Sequence, residues 1–173
     1  METQQDDYPL IGPDDPPPFT IINEQGKGRV LLVGDHVSNA IPKKLENLGL
    51  EESLLGEHIA YDIGTKKLIH HLSEHLDAPA VLAGYSRLVV DLNRSLEDSS
   101  VMPEVSDNRL ITGNLHMTVE HRRQRVHSFY TPYRKAIETM LHRYKKQGVV
   151  PALIYIHRFT PEMSGDLRPW LAV

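Results

Sequence analysis

Two short, unbroken apolar runs, each leading into a histidine, constrain this chain more than any other feature. Residues 29–34 read RVLLVG and lead through Asp35 to His36, and residues 152–156 read ALIYI and lead to His157. A strand with one wet face alternates apolar and polar side chains. A continuous run suits a strand covered on both faces. Residues 79–83 (PAVLA) and 88–92 (LVVDL) read as two further strands, joined tightly through Gly84 and Tyr85-Ser86 and expected to pair antiparallel. One more could begin at 170–173. Helices are expected at 43–48, with Pro42 in its first turn and Gly49 at its end, and at 62–76, where Ile63, Ile69, Leu72 and Leu76 form a partial apolar stripe. A long helix over 118–147 starts at a Thr118 cap with Glu120 nearby, bends or splits at Pro132 and stops at Gly148. Strand, helix, strand, strand, long helix, strand is the order of an α/β three-layer domain with a mixed sheet.

The 173 residues fit one domain. Residues 1–18, with Pro13 and Pro16–Pro18, read as an extended arm that is ordered only if it packs on the body or on a second copy. Residues 19–173 form the domain. The 95–116 stretch has no periodicity and is longer than most loops in compact domains, which marks it as functional or mobile. Nineteen basic against 23 acidic residues give a net charge of −4, which argues against nonspecific nucleic-acid binding and against a polybasic membrane patch. The absence of cysteine excludes disulfides, thiolate metal sites and a cysteine nucleophile. No apolar run approaches the ~20 residues of a membrane span, and the acidic, proline-rich start is unlike a signal peptide. A cytoplasmic protein is expected.

Chemistry is to be sought among the ten histidines. In open α/β sheets ligands gather at the carboxyl ends of strands. If the strands ending at His36 and His157 are near neighbours, both imidazoles face one crevice, and two histidines with a carboxylate and an open position make a hydrolytic zinc site. Two surface histidines capping loops is the plainer alternative. In YSRLVVDLNR (85–94), Arg87, Asn93 and Arg94 flank the expected strand and could clamp an anionic substrate, or could be solvated or structurally paired. Asp62 has three readings: helix cap, metal ligand, or a carboxylate orienting a ligating histidine. Asp91 could pair with one of the arginines, and His58 has no evident role. His71 and His75 are four apart but lack the glutamate of an HExxH pair, so they and His70 read as solvated, and His116, His121, His127 and His142 as structural or exposed. There is no GxSxG elbow, P-loop or GxGxxG.

Together, DHVSNAIP (35–42), HIAYDIG (58–64), YSRLVVDLNR (85–94), PEVSDNRLITGN (103–114), YTPYR (130–134), IYIHRFTPEM (154–163) and RPW (168–170) resemble the N-formylglutamate amidohydrolase family over roughly residues 28–173. The resemblance implies a zinc-exopeptidase-like (phosphorylase/hydrolase-like) α/β/α sandwich and hydrolysis of a linear amide. The family's named reaction converts N-formylglutamate and water to glutamate and formate in histidine degradation. It also implies a divalent metal, zinc by preference, on His36 and His157, and a small-molecule carboxylate held by Arg87, Asn93 and Arg94. Related carboxypeptidases carry a glutamate three residues after the first histidine. Here that residue is Asn39, so the third ligand is assigned to Asp62. Family members generally run beyond RPW and carry a late glutamate as general base, so the chain is expected to be C-terminally short and its base is left unassigned. An incomplete enzyme that only binds acyl amino acids, or a fragment that dimerises through a sheet edge near 170–173, are the alternatives.

Overall fold

The structure is a computed structural model, and it describes residues 10–158 together with the strands at 162–163 and 166–167. Four strands form the main sheet in the order β1 (Phe19–Ile22), β3 (Ala80–Ala83), β2 (Val30–Gly34), β6 (Ala152–Tyr155). β2 runs parallel to both β3 and β6, while β1 is antiparallel to β3. The molecule is therefore of the α/β class with a mixed sheet. Two-residue strands form two small hairpins, β4 (Val105–Ser106) with β5 (Arg109–Leu110), and β7 (Glu162–Met163) with β8 (Asp166–Leu167).

The centre of the sheet follows from its composition. Leu31, Leu32 and Val33 of β2 and Ala80 and Val81 of β3 are fully buried, each large side chain contributing roughly 1.5–3 kcal/mol by leaving water. α1 (Thr65–His75) packs on β2 and β3, and α3 (Thr131–Lys146) on β1, β2 and β3. Gly34 allows the close approach of α1: a Cβ there would meet the Ile69 side chain at 2.7 Å and that of Val37 at 2.5 Å. β6 departs from the sequence reading. It forms, but Leu153, Ile154 and Tyr155 are each more than a third exposed, because among the described residues β6 has a neighbour, β2, on one side alone.

Two expectations about strands are corrected. Residues 88–92 are not a strand and do not pair with β3. They form an irregular buried segment whose backbone is held by side chains: Asn114 donates to the Leu88 carbonyl, Arg125 to that of Val89 and Arg134 to that of Leu92. The antiparallel partner of β3 is instead β1, whose four residues are too few for a pattern to stand out. The edge strand expected at 170–173 lies outside the described residues. Residues 16–18 of the arm do lie against the body, with the Pro18 carbonyl accepting from Gly84 and that of Pro16 from the Tyr85 hydroxyl.

The long helix is split as Pro132 implied. α2 (Val119–Arg125), capped by the Thr118 hydroxyl accepting from the His121 amide, passes through a π-helical turn at Val126–Tyr130 into α3, with Pro132 in the first turn of α3 and Gly148 at a φ of 69° just past its end. Residues 43–49 form short 3-10 turns meeting at a kink rather than one α-helix, with Glu46, Asn47 and Leu48 at positive φ. Among the described residues no helix is long and apolar enough to cross a membrane.

Candidate metal centre and active site

Three parallel strands deliver this site. Just beyond the end of β2 lie Asp35 and His36, beyond β6 lie His157 and Arg158, and β3 leads through Gly84 to Arg87. Register does the rest. Val33 pairs with Tyr155, and two residues further along each strand Asp35 faces His157, with 3.6 Å between Asp35 Oδ2 and His157 Nε2. The His36 and His157 ring centroids are 5.0 Å apart.

Asp62 completes the group. The Asp62 amide donates to the His36 carbonyl, which ties the turn before α1 to the end of β2. Asp62 does not cap α1 with its carboxylate. The helix starts at Thr65, and Asp62 contributes its carbonyl oxygen to the Thr65 amide and hydroxyl. The carboxylate turns to the site instead. Its Oδ2 lies 3.2 Å from His157 Nδ1 and 3.7 Å from His36 Nδ1, and it accepts from the Arg158 amide at 3.0 Å. Its Oδ1 accepts from the Arg87 guanidinium.

Both imidazoles therefore present Nδ1 to Asp62 and Nε2 to a second carboxylate. His36 Nε2 is 2.7 Å from Asp91 Oδ1, and His157 Nε2 faces Asp35 Oδ2. Asp35 is itself held by the Tyr133 hydroxyl, which donates to Oδ1 at 2.6 Å, while Oδ2 is buried without a hydrogen bond. Backing of this kind fixes the tautomer of a ligating histidine and strengthens it as a donor.

The charges are strongly coupled. Burial pushes the Asp62 carboxyl up, but hydrogen bonds from His157 and His36 and the Arg87 guanidinium outweigh it and hold it far below the usual carboxylate range. Burial lowers His36, yet Asp62 and Asp91 together raise it above its ordinary 6.5. Asp91 is lowered, the His36 contact outweighing burial. Asp35 is raised by burial, which the Tyr133 hydroxyl offsets only in part.

The donor set fits a divalent ion. Bonds of ~2.1 Å in a tetrahedral arrangement place donors about 3.4 Å apart, and the two Nδ1–Oδ2 distances bracket that value. One ligand atom each from His36, Asp62 and His157 lies within 4.8 Å of the others. Asn39 takes no part, its amide donating to the Leu55 carbonyl 2.9 Å away.

A cavity of about 450 Å³ opens beside these residues. Arg87, Asn93, Arg94 and Arg158 line it, as do Pro103, Val105 and Asp107 from the 95–116 stretch, which makes that stretch a wall of the pocket. Arg87 is the more committed arginine, through Asp62. Arg94 is about half exposed, 3.1 Å from Asp98 and 3.7 Å from Asp91. Behind the wall, Arg125 is buried and donates to the carbonyls of Val89 and Gly113 and to Asn114 Oδ1. Burial pushes its guanidinium down to about 10.

Sequence reasoning placed His36, His157 and Asp62 together and put Arg87, Asn93 and Arg94 beside them, and all six line this one cavity. It missed the outer carboxylates. Asp35 stood next to His36 at a strand end, which was the available signal. Asp91 was matched with the arginines, and its closest partner is His36. His58 and Arg158, lining the same cavity, also went unassigned, as did Tyr133 behind Asp35. The histidines of α1 are exposed as expected, although His71, Glu74 and His75 also bring one ligand atom each within 4.8 Å.

Comparison with known proteins identifies a family and a fold match. The family model described as N-formylglutamate amidohydrolase matches residues 28–172. The crystal structure of a gene product from Agrobacterium tumefaciens superposes with a TM-score of 0.88 at 33% sequence identity, over 92% of this chain and 63% of that one. The chain thus spans less than two thirds of that protein's length. No curated protein matches the chain.

Proposed function

This chain belongs to the N-formylglutamate amidohydrolase family, and on that premise we propose that it is a metal-dependent hydrolase of N-acyl amino acids, splitting a linear amide into a carboxylate and an amino acid. The observation that carries the reading is the convergence of His36 Nδ1 and His157 Nδ1 on Asp62 Oδ2, with Asp91 behind the first ring and Asp35 behind the second. These three residues would hold a divalent ion, zinc being the natural choice for two imidazoles and a carboxylate. Such an ion supplies polarisation of the amide carbonyl and acidification of water. The residues of the chain do the positioning. Arg94 and Asn93 receive the substrate carboxylate at the cavity wall, and Arg87, anchored on Asp62, adds positive charge between the carboxylate and the reacting carbon. Orientation of this kind can lower a barrier by several kcal/mol.

The test is a formate-release assay on purified protein with N-formylglutamate, before and after zinc is added, alongside metal analysis of wild type and His36→Ala. Metal bound by wild type and lost in the variant, with zinc-dependent formate release, is the expected result. Absence of bound metal in both proteins would remove the proposal. Calorimetric binding of the acyl amino acid without turnover would instead favour a binding protein that keeps the arginine wall alone.

A further inference from the structure

Helix α1 carries donor groups that the site at the rim of the sheet does not use. Among the described residues, one set of side chains apart from His36, Asp62 and His157 brings two imidazoles and a carboxylate together: His71, Glu74 and His75. One ligand atom from each lies within 4.8 Å of the others, and all three side chains are exposed. Residues three and four apart share a helix face, so the helical backbone alone keeps the set together. The His71 and His75 ring centroids are 4.0 Å apart, with the ring planes inclined by 43°.

The surroundings add to proximity. His75 Nδ1 donates to the His71 carbonyl at 2.9 Å. Ligating imidazoles commonly hold their second nitrogen on a carbonyl or carboxylate, and this bond leaves the Nε2 lone pair for an ion. The set also sits at the C-terminal end of α1, of which His75 is the last residue. The unpaired carbonyls of a helix end carry partial negative charge, which favours a cation, and Glu74 supplies a full one. Lys67, one turn before His71, opposes the ion, but its side chain is exposed and its field is screened by salt. Donors of a tetrahedral ion with bonds of ~2.1 Å stand about 3.4 Å apart. Exposed side chains reach that spacing by small rotations, with no change of backbone.

We propose that His71, Glu74 and His75 form a second divalent-cation site, open to solvent and weaker than the one on His36, Asp62 and His157. Two imidazoles and one carboxylate suit zinc or copper rather than magnesium or calcium. Binding here must freeze side chains that are still free to turn, so the ion exchanges readily. The inference needs neither the hydrolysis proposed above nor the arginine wall.

The experiment titrates zinc chloride into the metal-free full chain by calorimetry and follows the imidazole proton resonances in parallel. Wild type should show a tight and a weaker class of site. His71→Ala with His75→Ala should abolish the weaker class and keep the tight one. The melting temperature should hold, since alanine is the best helix former. Either substitution alone should lower the weaker affinity by more than about tenfold, and Glu74→Gln should lower it less. His36→Ala should keep the weaker class, with zinc shifting the His71 and His75 resonances. A weaker class that persists in the double variant overturns the inference. So does a wild type with no weaker class, or zinc that leaves the His71 and His75 resonances in place. A tight class missing from wild type while the weaker one remains would remove the rim metal site and leave this one standing.

Discussion

Among the described residues, two groups, each of two histidines and one carboxylate, bring their donor atoms close enough for a single ion, and they differ in everything but composition. His71, Glu74 and His75 come together because α1 is a helix: residues three and four apart share a face. Their side chains are exposed, the rings sit 4.0 Å apart, and His75 Nδ1 is 2.9 Å from the His71 carbonyl. His36, Asp62 and His157 come from turns far apart in sequence and are assembled by the sheet. His36 and Asp62 are buried, and carboxylates stand behind both rings. Proximity of donors is therefore common, since a helix provides it at no tertiary cost. Fixed tautomer, buried charge and an adjoining cavity set the rim group apart, because they remove rotamer entropy before an ion arrives.

That contrast can be broken at its strongest point first. His36→Ala should weaken zinc binding, read by chelator competition, by more than the ~10–100-fold typical of losing an outer partner. Retention of wild-type affinity would mean that the rim is not the metal site. Asp91→Asn keeps all three ligands and alters only the backing of His36, so a loss of about 10–100-fold is expected. If Asp91→Asn binds as tightly as wild type, the outer carboxylate is packing and no more.

The metal-free protein offers a pH test. His36 has a folded value raised above its ordinary 6.5 by Asp62 and Asp91, against burial. Its stabilising contribution is whole below about 6.5 and is lost as pH rises through that raised value. The metal-free melting temperature should therefore fall by ~2–4 °C for each kcal/mol lost as pH rises above about 6.5, and the slope should flatten in Asp91→Asn. An equal slope in both proteins would detach His36 from Asp91. The smallest effect is expected from His71→Ala with His75→Ala, which should change tight zinc binding by less than about threefold. Loss of the bound ion in that variant would invert the comparison.

Residues 88–92 were misread for a reason that also hid the partners of Asp62 and Asp91. Leu88, Val89, Val90 and Leu92 are buried as a strand's would be, and their apolar run is indistinguishable from one. Their backbone partners are Asn114, Arg125 and Arg134, which follow them by 26, 36 and 42 residues, and no local pattern records such bonds. Asp62 looks like a helix cap because it precedes a helix, yet its carboxylate is taken by His157 and Arg158, 95 and 96 residues away. Asp91 was legible as a buried charge needing a partner, and the sequence nearby offered arginines rather than His36.

What the sequence determined by itself is local: the apolar runs of β2, β3 and β6, the Thr118 cap, the break before Pro132, the Gly148 stop, and histidines just beyond two strand ends. These depend on neighbours within a few residues, where backbone sterics and hydrophobic period act directly. Tertiary structure alone decided that β6 lies parallel to β2 with Val33 beside Tyr155, that both histidines turn Nδ1 inward, and that Asp35 and Asp91 stand behind them. Those choices are made by hydrogen bonds and buried charges between residues tens to more than a hundred positions apart. Register and side-chain direction become defined only when the sheet is assembled.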